Sequence, residues 1–274
     1  PTDGNSVCVT IVSGDQNTTA DVSVPPLQAF PDTLKPVPLK AGNVSVLLAA
    51  YKRTVPFAAV DEMRHVLNGV FYHHQAQSLV TTDSRRLFRV PVVACPLQAD
   101  TIIPVTKVLK SDLLDCGQGT GGVLTEKDVQ YIEIAAGPWR YQLKCIDGLY
   151  VNYRQVIPAT DATFPAELVF DPDDLDSIGQ AFRDVTDREH AYVSIYGDGN
   201  VFVLVSQKRG DGQLRNHVSL PCAAARFDKP LMVEVNSTPF LDALGAGMTS
   251  VRLPDDRSPL LFTDEGDAIC ALMP

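Results

Sequence analysis

The sequence predicts an α+β architecture built from repeated units. Three observations carry that expectation: strand-like runs outnumber helical ones, four helical segments are spaced among them, and the order of elements in residues 43–160 recurs in 171–274. Two related units of about 110 residues, each with helices on one face of an antiparallel sheet, would make an internal duplication visible as pattern rather than identity.

In chain order, SVCVTIVSG and TTADVSVP near the start read as a hairpin. A lone hairpin is marginal by itself, so it should belong to something larger. Residues 28–42, QAFPDTLKPVPLKAG, are proline-rich and read as a linker. In 43–55, Val44, Leu47, Leu48, Tyr51 and Val55 recur at helical spacing. Strands are expected at 66–73, 78–82 and 86–93. A helix is expected over 104–114, opened by Pro104 and carrying Val105, Val108, Leu109 and Leu113 on one face. Strands at 129–135 and 140–145 follow; in the second, Tyr141, Leu143 and Cys145 alternate with Arg140, Gln142 and Lys144.

The second unit begins with a helix over 171–185. Asp171 can cap it, Pro172 opens its first turn, and Leu175, Ile178, Phe182 and Val185 face inward. AYVSIY, the turn GDGN and VFVLV then make a hairpin signal. A strand at 230–235 precedes a helix over 237–246, capped by Ser237 or Thr238 and opened by Pro239. Strands at 250–254, 259–263 and 268–273 complete the chain.

The 274 residues suffice for two domains and a sizeable core. A net charge of −10 excludes a simple basic coat for nucleic acid, though it leaves room for a local positive surface. The six cysteines form no CxxC pair and read as scattered buried thiols in a reducing compartment. No apolar run approaches the roughly 20 residues that cross a bilayer, no signal peptide is visible, and the chain starts at Pro1 rather than Met. A cytoplasmic protein without a membrane partner is expected.

Candidate chemistry is sparse. GQGTGG (117–122) follows a helix and leads into a strand, the reverse of a phosphate-binding loop, and reads as a flexible connector. His73 and His74, adjacent in a strand, would point to opposite faces and so cannot hold one metal together. Asp171, Asp173, Asp174 and Asp176 suit a helix N-terminus without any catalytic role. Trp139, beside Pro138, reads as a turn or packing residue. No nucleophile–base–orienter set can be assembled, so the expectation is a non-enzyme with no catalytic residues, cofactor or metal.

Four stretches carry a resemblance. DEMRHVLNGVFYHH (61–74), LVTTDSRRLFRV (79–90), NYRQVIP (152–158) and VRLPDDRSPLLFTDEGDAICALMP (251–274) are similar, in order and spacing, to motifs of the bacterial sliding clamp, the beta subunit of DNA polymerase III. FPD (30–32) sits where that family has its first interdomain linker. The resemblance implies a ring of repeated clamp domains around duplex DNA, with helices lining the hole and sheets outside. It implies that 1–40 is the remnant of a first domain with its linker, that 41–160 is a middle domain, and that 161–274 is a C-terminal domain.

It further implies a processivity factor of DNA replication, cytoplasmic and nucleoid-associated. Such a factor tethers DNA polymerase, clamp loader and repair proteins through short linear motifs, as a homo-oligomeric ring. Double-stranded DNA would be held topologically, with Lys52, Arg53, Lys107, Lys110 and Arg183 facing it. The partner-peptide pocket, carried over by position, would take Thr82, Ser84, Arg85, Arg86 and Leu87 from the turn. Val151, Gln155 and Val156 would come from the segment between domains, and Pro259, Ala271, Leu272, Met273 and Pro274 from the last domain. Ser84 replaces a usual glycine, Arg85 a histidine, Val151 a proline and Gln155 an arginine. The alternative is a divergent clamp-like interaction module that binds partner peptides without encircling DNA.

Overall fold

A computed structural model describes residues 6–13, 16–23, 39–60, 62–112, 114, 118–137, 139–158, 162–186, 192–198, 201–207, 214–254 and 258–273. The chain forms two compact units, 1–36 and 37–274. The first holds the expected hairpin: β1 (Ser6–Ser13) pairs antiparallel with β2 (Gln16–Ser23).

The second unit is built from four successive β-α-β-β-β runs. The first is β3 (Lys40–Asn43), α1 (Val44–Thr54), β4 (Gly69–His73), β5 (Ser78–Thr82) and β6 (Arg86–Pro91). The second is β7 (Thr101–Pro104), α2 (Lys107–Lys110), β8 (Gln118–Glu126), β9 (Val129–Ala136) and β10 (Trp139–Lys144). The third is β11 (Ala166–Val169), α3 (Leu175–Val185), β12 (Tyr192–Asp198), β13 (Val201–Gln207) and β14 (Leu214–Ser219), with β15 (Ala224–Phe227) appended. The fourth is β16 (Leu231–Asn236), α4 (Ser237–Gly245), β17 (Ser250–Leu253), β18 (Leu260–Thr263) and β19 (Ile269–Leu272).

Consecutive runs exchange their first strands. β3 joins β8, β9 and β10, while β7 joins β4, β5 and β6. In the same way β16 joins β12, β13 and β14, while β11 joins β17, β18 and β19. Each exchange closes within one half of the unit, 40–144 or 166–272. The halves then meet edge to edge: β19 pairs antiparallel with β6, Leu87 opposite Ala271, making one nine-stranded sheet.

Helices cover one side. In α1, Val44, Leu47, Leu48 and Tyr51 are buried, and Asn43 caps the start by accepting from the Val46 amide at 3.0 Å. α1 packs on β5, β6 and β8 and beside α2; α3 packs beside α4. Phe182 of α3 stacks on Phe240 of α4 with ring centroids 4.5 Å apart. Asp171 caps the helical turn before α3, accepting from the Asp173 amide at 3.0 Å. Among the described residues, no helix is long and apolar enough to cross a membrane. Cys95, Cys145 and Cys270 are buried, and Cys222 is half-buried; burial pushes all four thiols above their ordinary range.

Four expectations are corrected. The helix over 104–114 shrinks to the single turn of α2, because the β-branched run Thr101–Ile103 pairs with β4 and draws Pro104 into β7; Thr106, not Pro104, caps the turn. The strand over 66–73 starts only at Gly69, after a 3-10 segment over Glu62–Asn68. The cap of α4 is Asn236, which accepts from the Thr238 amide at 3.1 Å. The linker over 28–42 gives way to β3 from Lys40 onward; residues 28–38 lie outside the described residues.

GQGTGG is likewise no flexible connector where it is described: β8 runs through Gly119, Gly121 and Gly122. A Cβ on Gly119 would stand 2.5 Å from the Ala135 carbonyl oxygen and 2.7 Å from a Val44 methyl. These glycines let β8 lie against β9 and α1. Gly119→Ala is therefore expected to cost about 1–3 kcal/mol of stability by overpacking, read from denaturant midpoints against Gly245→Ala, whose added Cβ meets nothing within 4 Å.

Candidate partner-binding site at the junction of the two halves

The turn Asp83–Arg85 between β5 and β6 is built by its own polar groups. Thr82 Oγ1 donates to the Arg86 carbonyl at 2.6 Å and accepts from the Ser84 amide at 3.1 Å. Asp83 Oδ1 accepts from the amides of Arg85 (2.9 Å) and Arg86 (3.0 Å). Beside the turn, the Met273 amide donates to the Arg85 carbonyl at 2.9 Å, extending the contact between β6 and β19.

Arg86 crosses from this turn to the other half. Its guanidinium donates to Asp83 Oδ2 at 2.9 Å, to Asp242 of α4 and to the Pro56 carbonyl at 3.0 Å, and it lies 5.1 Å from the Phe57 ring centroid. Burial pulls its pKa down, but the bonds to Asp242 and Asp83 outweigh it and push the pKa up. Arg53 of α1 makes a second tie. It donates to the Ala246 carbonyl at 2.7 Å and to Asp264 at 2.5 Å, 5.5 Å from the Phe88 centroid. Phe57 and Phe88 stack on each other at 4.3 Å, so two arginines clasp one aromatic pair. The clasp brings the last turn of α1 to the end of α4, and the four helices form one layer across the junction.

The sheet's other face is covered by the segment after β10. Leu87, Val80, Tyr153 and Ala271 form a small core there, with Phe71, Tyr150 and Ile157 against it. Tyr153 opens a 3-10 turn, Tyr153–Gln155, and its hydroxyl lies 2.7 Å from His73 Nδ1. Next to this turn is an open cavity of about 400 Å³, lined by Gln155, Val156, Pro158, Phe164, Pro259 and Met273, with Ala162, Thr163 and Ser258 at its edge.

Of the expected pocket residues, the cavity brings together Gln155, Val156, Pro259 and Met273. Thr82 is spent on the turn. Leu87, Ala271 and Leu272 are buried, Leu87 at 1% exposure; Leu87 and Ala271 belong to the small core next to the site, and Leu272 to the main core. Val151, Ser84 and Arg85 are exposed, and Arg86 is turned into the junction. Pro274 lies outside the described residues. Sequence reading missed Phe164 and Pro158 as lining residues, although Pro158 ends the quoted NYRQVIP stretch.

Of the expected DNA-facing residues, Lys107 and Lys110 on α2 and Arg183 on α3 are exposed, the last donating to Gln180 Oε1 at 3.2 Å. Lys52 is ion-paired with Asp112 at 2.5 Å, and Arg53 is occupied in the clasp. Among the described residues, no group of three His, Cys, Asp or Glu side chains is arranged for a metal.

These strand exchanges, with helices on one face and two halves joined edge to edge, have counterparts among solved structures. A sliding clamp of Bartonella birtlesii, bound there to griselimycin, superimposes with a TM-score of 0.71 at 23% identity, covering 97% of this chain and 73% of its own. The beta chain of Thermotoga maritima gives 0.74 at 20% identity, covering 100% and 74%. That of Streptococcus pyogenes gives 0.73 at 18%, covering 97% and 73%. The chain has the bacterial sliding-clamp fold. No protein-family model and no curated protein matches the sequence.

Proposed function

We propose that the chain is a non-enzymatic processivity clamp. In this reading it forms part of a homo-oligomeric ring around double-stranded DNA in the cytoplasm, at the nucleoid, and tethers DNA polymerase, clamp loader and repair proteins through short peptides. Its clamp domains are 41–160 and 161–274, with 1–40 the remainder of another. The observation that carries the reading is the β6–β19 junction, which joins two halves by their sheet edges while keeping their helices in one layer. Repeated, that junction closes a ring. The strand equivalent to β19 in the first half is β10, and the one equivalent to β6 in the second half is β14; each ends its sheet and offers the edge a neighbouring domain needs. Exposed Lys107, Lys110 and Arg183 on the helical side supply a mild, sequence-independent attraction for phosphates.

The cavity at Val156 and Met273 suits an apolar peptide anchor. Met273 is 47% exposed, so Met273→Asp leaves the fold intact and is expected to weaken binding of a polymerase-derived clamp-binding peptide about tenfold or more. Unchanged anisotropy titrations would remove the pocket. Ring function is tested by light scattering and by retention on circular but not linearised DNA after loading; a strict monomer that is never retained would sink it.

One observation favours the second reading, a peptide-binding module that does not encircle DNA. Lys52 and Arg53 are paired with Asp112 and Asp264, and Arg183 shares α3 with Asp176 and Asp184. Peptide binding without any circular-DNA retention would select it.

A further inference from the structure

A second open cavity, of about 520 Å³, shares no lining residue with the one at Val156 and Met273. Three separate segments meet around it. Asp100 precedes β7, Asp128 lies in the turn from β8 to β9, and Asp147 and Leu149 follow β10. Hydrogen bonds hold the segments together. The Ile146 amide donates to the Ile102 carbonyl at 2.9 Å and the Cys145 amide to the Gln130 carbonyl at 2.8 Å. Gln130 Nε2 donates to the Asp100 carbonyl at 3.1 Å.

The lining combines two kinds of surface. Phe71 and Tyr150, stacked with ring centroids 4.8 Å apart, supply an aromatic wall. Leu149, 94% exposed, adds an aliphatic side chain open to solvent. The charge is all of one sign: Asp100, Asp128 and Asp147 line the cavity, and no Lys or Arg does. Asp147 pairs with Lys144 at 3.2 Å, but both are more than half exposed, so that pair is weak. One Asp100 oxygen accepts from the His74 amide at 2.7 Å; among the described residues neither Asp100 nor Asp128 has a cationic partner.

Carboxylates repel phosphate, so this face does not serve nucleic acid. An aromatic wall beside several carboxylates matches a guanidinium, which is planar, stacks on ring faces and offers a fork of donors to carboxylates. We propose that this cavity docks an arginine of a partner protein, carried beside an aliphatic residue that packs on Leu149. It is a docking point separate from the junction site, and a partner that reached both would be held with a raised effective concentration.

The test titrates the ¹⁵N-labelled chain with the peptide Gly-Leu-Arg-Leu-Gly and with its neutral isostere, in which citrulline replaces the arginine. Amide correlation spectra follow Gly148 and Gln130, which line the cavity. The arginine peptide is expected to shift both amides and to bind about tenfold tighter than the citrulline peptide. The double variant Asp100→Asn, Asp128→Asn should abolish that preference. It keeps the local structure: an amide oxygen still accepts from His74, and asparagine tolerates the φ of 65° at position 128. Asp173→Asn with Asp176→Asn removes the same charge at the start of α3 and should leave the preference unchanged. Unmoved Gly148 and Gln130 amides, equal binding of the two peptides, or an equal loss of preference in the α3 variant overturns the proposal. Free L-arginine binding as tightly as the arginine peptide also overturns it, since the flanking leucines would then contribute nothing.

Discussion

Leu87→Ala is expected to lower stability by about 2–5 kcal/mol, seen as a Tm fall of roughly 5–15 °C for a unit of this size. The side chain is 1% exposed and packs with Val80, Tyr153 and Ala271 on the sheet face opposite the helices. That small core has few members, so a cavity there has little material to collapse into. The strand around it is held on both edges, Leu87 lying opposite Thr82 in β5 and Ala271 in β19. Tyr153 loses part of its packing, and with it the 3-10 turn that presents Gln155 and Val156. Peptide affinity should therefore fall as well, beyond the loss of folded protein, because that turn lines the cavity. A Leu87→Ala protein with an unchanged melting curve would refute the placement of this side chain.

Arg86→Ala is expected to cost about 2–3 kcal/mol, less than the 3–5 kcal/mol of a fully buried pair because Asp242 is partly exposed. The loss combines the bonds to Asp83, Asp242 and Pro56 with the contact over Phe57. Asp242→Asn should cost less, since Arg86 keeps Asp83. A double-mutant cycle between Arg86 and Asp242 should return a coupling of about 0.5–3 kcal/mol. The coupling should persist in moderate salt, because the guanidinium is sheltered from solvent. Independent, additive effects would show that the clasp does not join the halves.

The fold was legible where local pattern and tertiary role agree. The spacing of Val44, Leu47, Leu48 and Tyr51, and that of Ile178, Phe182 and Val185, each specify a helix with one buried face. β3, β7 and β11 were missed or misassigned because each is four residues long and pairs with a strand of another run of the chain. Gly119 and Gly121 looked like loop residues because a sequence does not display the Ala135 carbonyl or the Pro96 ring that excludes a side chain there.

The candidate site was legible by position and less so by orientation. Motif order located the turn, the connecting segment and the last strand. Nothing local distinguishes Arg85, which faces solvent, from Arg86, whose partner Asp242 lies 156 residues away. Arg53 is the same case, with Asp264 211 residues away.

The exchange of first strands between consecutive runs also bears on how the chain can fold and be cut. Neither β3 nor β7 completes the sheet of its own run, so no single run can reach a stable state before its neighbour has been made. Each half should then order in one step, late, through contacts distant in sequence. A nascent chain stopped after β6 would expose two unfinished edges, whereas one stopped near residue 158 would have closed its first exchange. Proteolytic or engineered breaks should be tolerated between the halves at the exposed Ala162 and Thr163, and not between β6 and β7, where Val92, Cys95 and Leu97 are buried in the core.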